Sequence, residues 1–142
     1  MRKLIPLAIA AGLATTALAH EGVKNAAVKA RMQGMSEIGA GMKVIGQMAQ
    51  GKTEFDQAKA EAALASIRAQ SAMVTTLFQA NETDPKSEAM PAIWTNWADF
   101  QAKAQAMQVA AEGASAQDVN ALRQALGALG GTCKSCHSQY RE

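Results

Sequence analysis

Four stretches of this chain repeat apolar residues at alternating steps of three and four. Val28, Arg31, Met35, Ile38, Met42, Ile45 and Ala49 form the first series. Ala60, Leu64, Ile67, Ser71, Val74 and Phe78 form the second. Ile93, Trp97, Phe100, Ala104, Met107 and Ala111 form the third, and Val119, Leu122, Leu126, Leu129, Cys133 and Cys136 the fourth. Steps of three and four keep one face of an α-helix apolar, at the 3.5-residue spacing of packed bundles. No stretch alternates with period two, so no strand is expected. The punctuation agrees. Gly51-Lys52-Thr53-Glu54 and Asn81-Glu82-Thr83-Asp84-Pro85 separate the first three helices. Pro91 stands near the start of the third, Gly113 ends it, and Ser115 with Asp118 three residues on is read as the N-cap of the fourth. Short connections force neighbours antiparallel. The expected fold is all-α, an up-down-up-down four-helix bundle. Gly34, Gly39, Gly41 and Gly46 lie inside the first helix. Each costs up to about 1 kcal/mol against Ala there, which close approach of a helix or a bulky ligand would offset.

The N-terminus reads as an export leader. Met1-Arg2-Lys3 is positive, Leu4 to Leu18 carries no charge, and Ala17-Leu18-Ala19 has the small-x-small form of a cleavage site. The apolar run, interrupted by Pro6, is short for a membrane span. Residues 1–19 are therefore read as a cleaved signal peptide and 20–142 as a single domain, exported to the periplasm without stable membrane insertion. Removing 19 of 142 residues leaves 123, enough for one core. Arg2 and Lys3 leave with the leader, so the 14 basic residues fall to 12, matching the 12 acidic ones. That balance excludes a strongly basic nucleic-acid binder. Aromatic content of 4% is low for a core of this size and leaves room for something else to fill the middle.

The two cysteines carry the chemistry. A Cys133–Cys136 disulfide would close a tiny loop and stabilise little. Cys133-Lys134-Ser135-Cys136-His137 instead reads C-x-x-C-H, the attachment signature of haem c. Positions i and i+3 share a helical face, so both sulfurs can reach the two vinyl groups of one porphyrin, and His137 can present its imidazole to the iron. A thioredoxin-like reading needs a βαβ context that the chain lacks. A zinc site needs more Cys or His, and the only other histidine is His20.

With this motif at the end of the last of four helices, the chain resembles the cytochrome c-prime family, the class II c-type cytochromes. The resemblance covers the whole mature chain. It rests on Cys133–His137 followed by Tyr140-Arg141, on Arg31-x-x-x-Met35, on Gly51-Lys52-Thr53-Glu54-Phe55-Asp56, and on Ile93-Trp94. It implies a periplasmic protein with one covalent haem c and no substrate turnover. The family divides at the sixth iron ligand, and the position that decides it matches Met35. The segments Met35-Ser36-Glu37-Ile38-Gly39 and Gly46-Gln47-Met48-Ala49-Gln50-Gly51 resemble the low-spin, Met-ligated branch. The leading expectation is thus an electron carrier with His137 and Met35 as axial ligands, Met32 being the substitute one turn earlier. The alternative is a high-spin protein in which Met35 is a wall and nitric oxide or carbon monoxide binds. Arg31, a charge on an apolar seam, needs a partner, which a haem propionate would supply unless the side chain snorkels to water. Lys134 and Arg141 offer a modest basic rim to an unidentified redox partner protein. A homodimer through the first two helices would use Met42, Ile45 and Met48, which serve equally as core.

Overall fold

A computed structural model describes residues 22–142; the leader, its cleavage point at Ala19 and His20 lie outside the described residues. Five helices are present, with no strand among the described residues. They are α1 Ala26–Ala49, α2 Gln57–Leu77, the single turn α3 Ala92–Thr95, α4 Trp97–Glu112 and α5 Val119–Tyr140. Each long helix packs on the one before and the one after, and α5 closes onto α1. The result is the four-helix bundle expected from the seams. Ile45, Leu64, Ile67, Ile93, Leu122 and Leu129 are fully buried at its centre. Each such side chain contributes about 1.5–3 kcal/mol of hydrophobic stabilisation.

The starts of three helices are fixed by side-chain caps. Asn25, Asp56 and Asp118 accept the backbone N–H groups of Val28, Lys59 and Ala121 respectively. The cap of α5 is therefore Asp118 and not Ser115, whose hydroxyl accepts Gln117 N–H at 3.3 Å. The third helix of the sequence reading is divided at Asn96, which leaves helical geometry at φ −116°, ψ 41°. The break costs the seam nothing. Ile93 lies before it, and Phe100, Ala104, Met107 and Ala111 after it, all buried.

The helix ends follow a pattern across the bundle. None of α1, α2 and α4 has a basic residue in its last turn. An arginine from a neighbouring helix serves each one. Arg31 of α1 donates through Nε to Leu77 O at 2.9 Å, through Nη2 to Ala80 O, and through Nη1 to Glu82 O at 2.8 Å, just past the end of α2. Arg68 of α2 donates to Ala111 O at 3.0 Å and Ala114 O at 2.7 Å, at the end of α4. Arg123 of α5 donates to Ala49 O at 3.0 Å, the last residue of α1. A cation at a helix C-terminus satisfies orphan carbonyls and opposes the macrodipole.

Every aromatic residue except Phe55 gathers at one end, where α2 stops, α4 starts and α5 stops. Phe100 stands 5.2 Å from Phe78, 5.5 Å from Trp97 and 5.4 Å from Tyr140, measured between ring centroids. The same end carries the C-x-x-C-H motif.

Candidate functional site

The α1 helix has two working faces. Gly34 and Gly41 face α2, and a Cβ on Gly41 would lie 2.7 Å from Ile67 Cγ1 and 3.0 Å from Ala63 O. Close approach of a neighbouring helix is thus the reason for Gly41. A second stripe, Val28, Met32, Met35, Gly39, Met42 and Gly46, runs beside the first, and at Gly46 it meets α5, where a Cβ would be 3.6 Å from Leu126. Two contacts set the antiparallel register of α1 on α5: Gly46 with Leu126, and Ala49 with Arg123. Carried along both helices, that register sets Gly39 level with Cys133 and Met35 level with His137. Gly39 is exposed, and a Cβ there would meet nothing within 4 Å, nor would one on the half-buried Gly130 of α5. The α1–α5 contact is close at Gly46, whereas Gly39, seven residues earlier, has nothing beside it.

Cys133 and Cys136 are free thiols, one turn apart on α5, half-buried against the apolar core. Burial raises both thiols above their ordinary value, and for Cys136 the Lys103 ammonium opposes part of the rise. Both are therefore protonated at neutral pH. His137 follows on the exposed flank of α5. Desolvation by the packed helix end lowers its pKa, with Arg141 adding to the effect and Glu88 opposing it. The ring is thus a neutral imidazole at pH 7, the form that ligates iron. Beside it opens a cleft of about 360 Å³ lined by Lys134, His137, Ser138, Arg141 and Glu142. Among the described residues no three His, Cys, Asp or Glu side chains stand together as a metal site. A bare ion has no cage here. One imidazole beside an open cleft, with two thiols a turn apart on the same helix, fits a porphyrin that brings its own iron.

Over residues 26–141 the chain matches the sequence profile of the family described as Cytochrome C′. The chain belongs to the cytochrome c′ family. It is 35% identical to cytochrome c′ of Rhodopseudomonas palustris over 111 residues, 75% of each protein. It is 33% identical to a cytochrome c-556 of Agrobacterium tumefaciens over 115 residues, 79% of this chain and 91% of that one. Its fold superimposes on a ferrous, nitric-oxide-bound variant of cytochrome c prime from Alcaligenes xylosoxidans with a TM-score of 0.72 and 29% identity, covering 82% of this chain and 94% of the other. Cytochrome c′ proteins bind one covalently attached haem c, and haem c is the cofactor of this chain. Family members are periplasmic; among the described residues no helix is long and apolar enough to cross a membrane.

Of the residues singled out from the sequence, Cys133 and Cys136 are half-buried against the core on α5, His137 follows on the exposed flank of that helix, and Met35 is half-buried against the same core on α1. Arg31 is placed differently. It is 2% exposed, and its guanidinium is held by the end of α2 and lies over the Phe78 and Trp94 rings at 5.2 and 5.1 Å. The partners its charge finds are backbone carbonyls at the end of α2, and the side chain does not snorkel to water. Burial lowers its pKa and Glu82 opposes that. Trp94 is tied down as well, donating Nε1–H to Phe78 O at 2.8 Å. Ile45 and Met48 are core residues, 0% and 5% exposed, and Met42 is half-buried on the second stripe of α1.

Sequence reasoning missed a brace around the motif. Met90 N–H donates to Tyr140 O and Glu142 N–H to Glu88 O, both at 3.0 Å, so residues 88–90 pair with the chain end in an isolated antiparallel bridge. Glu88 Oε2 accepts Arg141 Nε–H at 2.6 Å and lies 2.5 Å from Nη2. Tyr140 donates its hydroxyl to Asp99 at 2.6 Å, which pushes its phenol up to about 12. The only sequence signal was Tyr140 at the next core position after Cys136.

Proposed function

We propose that this protein is a periplasmic cytochrome c′ that binds nitric oxide or carbon monoxide at an open iron face, with no substrate turnover of its own. When bound, haem c supplies an iron that accepts a fifth ligand from the protein and a sixth from solution. Cys133 and Cys136 would hold the group, each thiol adding its S and H across one vinyl double bond, a balanced addition that needs no oxidant. Their protonated state keeps them from stray oxidation until then. His137 would offer its neutral imidazole to the iron, and Met35 would wall the haem pocket.

The observation that carries this reading is the α1 stripe at the level of His137. It consists of Met32, Met35, Gly39 and Met42, with no charged side chain and no strong hydrogen-bond donor. Such a wall favours a small uncharged ligand over water or an anion. The nitric oxide bound to the Alcaligenes xylosoxidans relative supports the same reading. Met35 itself is half-buried against the apolar core, as a wall residue is.

A second reading, an electron carrier with the Met35 sulfur as sixth ligand and a periplasmic redox partner, draws on the same register, which sets residue 35 of α1 level with residue 137 of α5. One spectrum separates the two. The open-face protein is expected to be high-spin in both oxidation states, and Met35→Ala should speed carbon monoxide binding without altering the iron's ligands. A ferric methionine–sulfur charge-transfer band, lost in Met35→Ala, overturns the open-face reading in favour of ligation.

A further inference from the structure

The last turn of α5 carries His137, and a helix end is where an α-helix is least able to hold a side chain still. Its final carbonyls have no intrahelical donors, and terminal turns fray. Here the chain reverses that weakness. Arg141 leaves the helix in an extended conformation, φ −125°, ψ 136°, and its own N–H returns to His137 O at 3.2 Å. Arg141 thus supplies the donor for the His137 carbonyl at the point where the helix ends.

Two groups hold Arg141. Its backbone is paired with Ala89 through the flanking bonds of Met90 and Glu142. Its guanidinium places both Nε and Nη2 on one carboxylate oxygen of Glu88, 53 residues earlier. Glu88 makes no bond to His137. It belongs to the α2–α3 connection, residues 78–91, which is anchored to the start of α1. Asp84 Oδ2 accepts Lys24 N–H at 2.9 Å and Asn25 N–H at 3.1 Å, and Glu82 Oε2 accepts the Asn25 amide at 2.6 Å. Glu82 O also accepts Arg31. The connection thus runs from a fixed point at the start of α1 to the last turn of α5.

We propose that Glu88 is a positioning residue for His137, acting through Arg141: the strap of residues 82–90 sets where the imidazole stands by holding the one residue that caps its carbonyl. This rests on the reading of His137 as the iron ligand. The Glu88–Arg141 pair is half exposed, with side chains 58% and 52% accessible, so it adds little to global stability. Its effect is on placement.

The test uses the haem-loaded protein, with Glu88→Gln, Arg141→Gln and the double variant. Two quantities are read: the iron–histidine stretching band of the ferrous protein by resonance Raman, and amide hydrogen exchange at Arg141 and Glu142. Glu88→Gln should shift the band, Arg141→Gln should shift it in the same direction, and the double variant should shift it no further than Arg141→Gln. Exchange at Arg141 and Glu142 should quicken by up to about fivefold, the factor that a surface pair of this kind is worth. The melting temperature should stay within about 3 °C of wild type. A band that Glu88→Gln leaves in place, or shifts that simply add in the double variant, overturns the positioning role while leaving His137 as ligand. A wild-type protein with no iron–histidine band, or one whose band survives His137→Ala, overturns both.

Discussion

Replacing Arg31 with Met tests what a buried cation does in this bundle. The Met stem keeps most of the apolar packing and removes the guanidinium. Three carbonyls then lose a charged donor: Leu77, Ala80 and Glu82. Ala80 and Glu82 are exposed residues, so water can replace the arginine there. Leu77 is half-buried, and an unsatisfied carbonyl at such a site costs about 1–3 kcal/mol. Loss of the cation from the end of α2 removes up to about 2 kcal/mol of dipole stabilisation. Loss of the two ring contacts removes about 0.5–1 kcal/mol each. Against this, the variant no longer desolvates a guanidinium, which returns a few kcal/mol. The expected net loss is about 3 kcal/mol. At about 2.1 cal/mol/K of unfolding entropy per residue, a domain of this size loses about 1 °C for each 0.25 kcal/mol, so the melting temperature should fall by about 12 °C. Arg31→Lys keeps the charge but reaches fewer carbonyls, and should lose about half as much. Thermal melting followed by circular dichroism on the haem-loaded protein measures both. A loss under about 3 °C for Arg31→Met, together with an altered haem spectrum, would refute the cap and return Arg31 to the haem propionate.

Four other outcomes follow from the same geometry. Gly41→Ala should destabilise by about 1–3 kcal/mol in urea unfolding, because its Cβ would overlap Ile67, whereas Gly39→Ala in the haem-free chain should be neutral or stabilising by up to about 1 kcal/mol. The Asp84 carboxylate is held below the usual range by backbone N–H groups of Lys86, Lys24 and Asn25. Its contribution is therefore complete above the unfolded value near 4 and is lost as pH falls below it; Asp84→Asn should flatten that part of the stability–pH curve. Cys133→Ala or Cys136→Ala should leave one thioether, and the double variant none, read as the fraction of haem surviving acid extraction. The haem-free chain should melt well below the haem-loaded one, because covalently held porphyrin adds apolar burial only in the folded state.

The helices were legible because their apolar steps are dictated by packing that the structure repeats almost position by position. Val28, Ile38, Ile45, Leu64, Ile67, Phe100, Leu122 and Leu129 stand on the expected seams and are buried. The division at Asn96 was not legible, since a one-residue kink leaves the spacing of Ile93, Phe100 and Ala104 intact. Ser115 and Asp118 were both acceptable caps; only the backbone path chooses between them. Arg31 shows a deeper limit. A charged residue on an apolar seam announces that it needs a partner, yet its partners here are carbonyls, which every residue possesses and no sequence pattern marks. The Glu88–Arg141 contact, across 53 residues, is invisible for the same reason.

The second stripe of α1 follows from the first. A helix packed on two neighbours must present two faces, and one set of three-and-four steps describes only one of them. Shifting that set gives Val28, Met32, Met35, Gly39, Met42 and Gly46, which contains three of the chain's eight methionines and two of its eleven glycines. Along this stripe Gly46 meets Leu126 while Gly39 meets nothing. Small residues thus stand in different surroundings on one face: Gly46 lies against α5, and Gly39 has nothing beside it. The register set at Ala49 and Arg123 carries Cys133 and His137 toward that second part of α1, where the large side chains are those of Met32 and Met35.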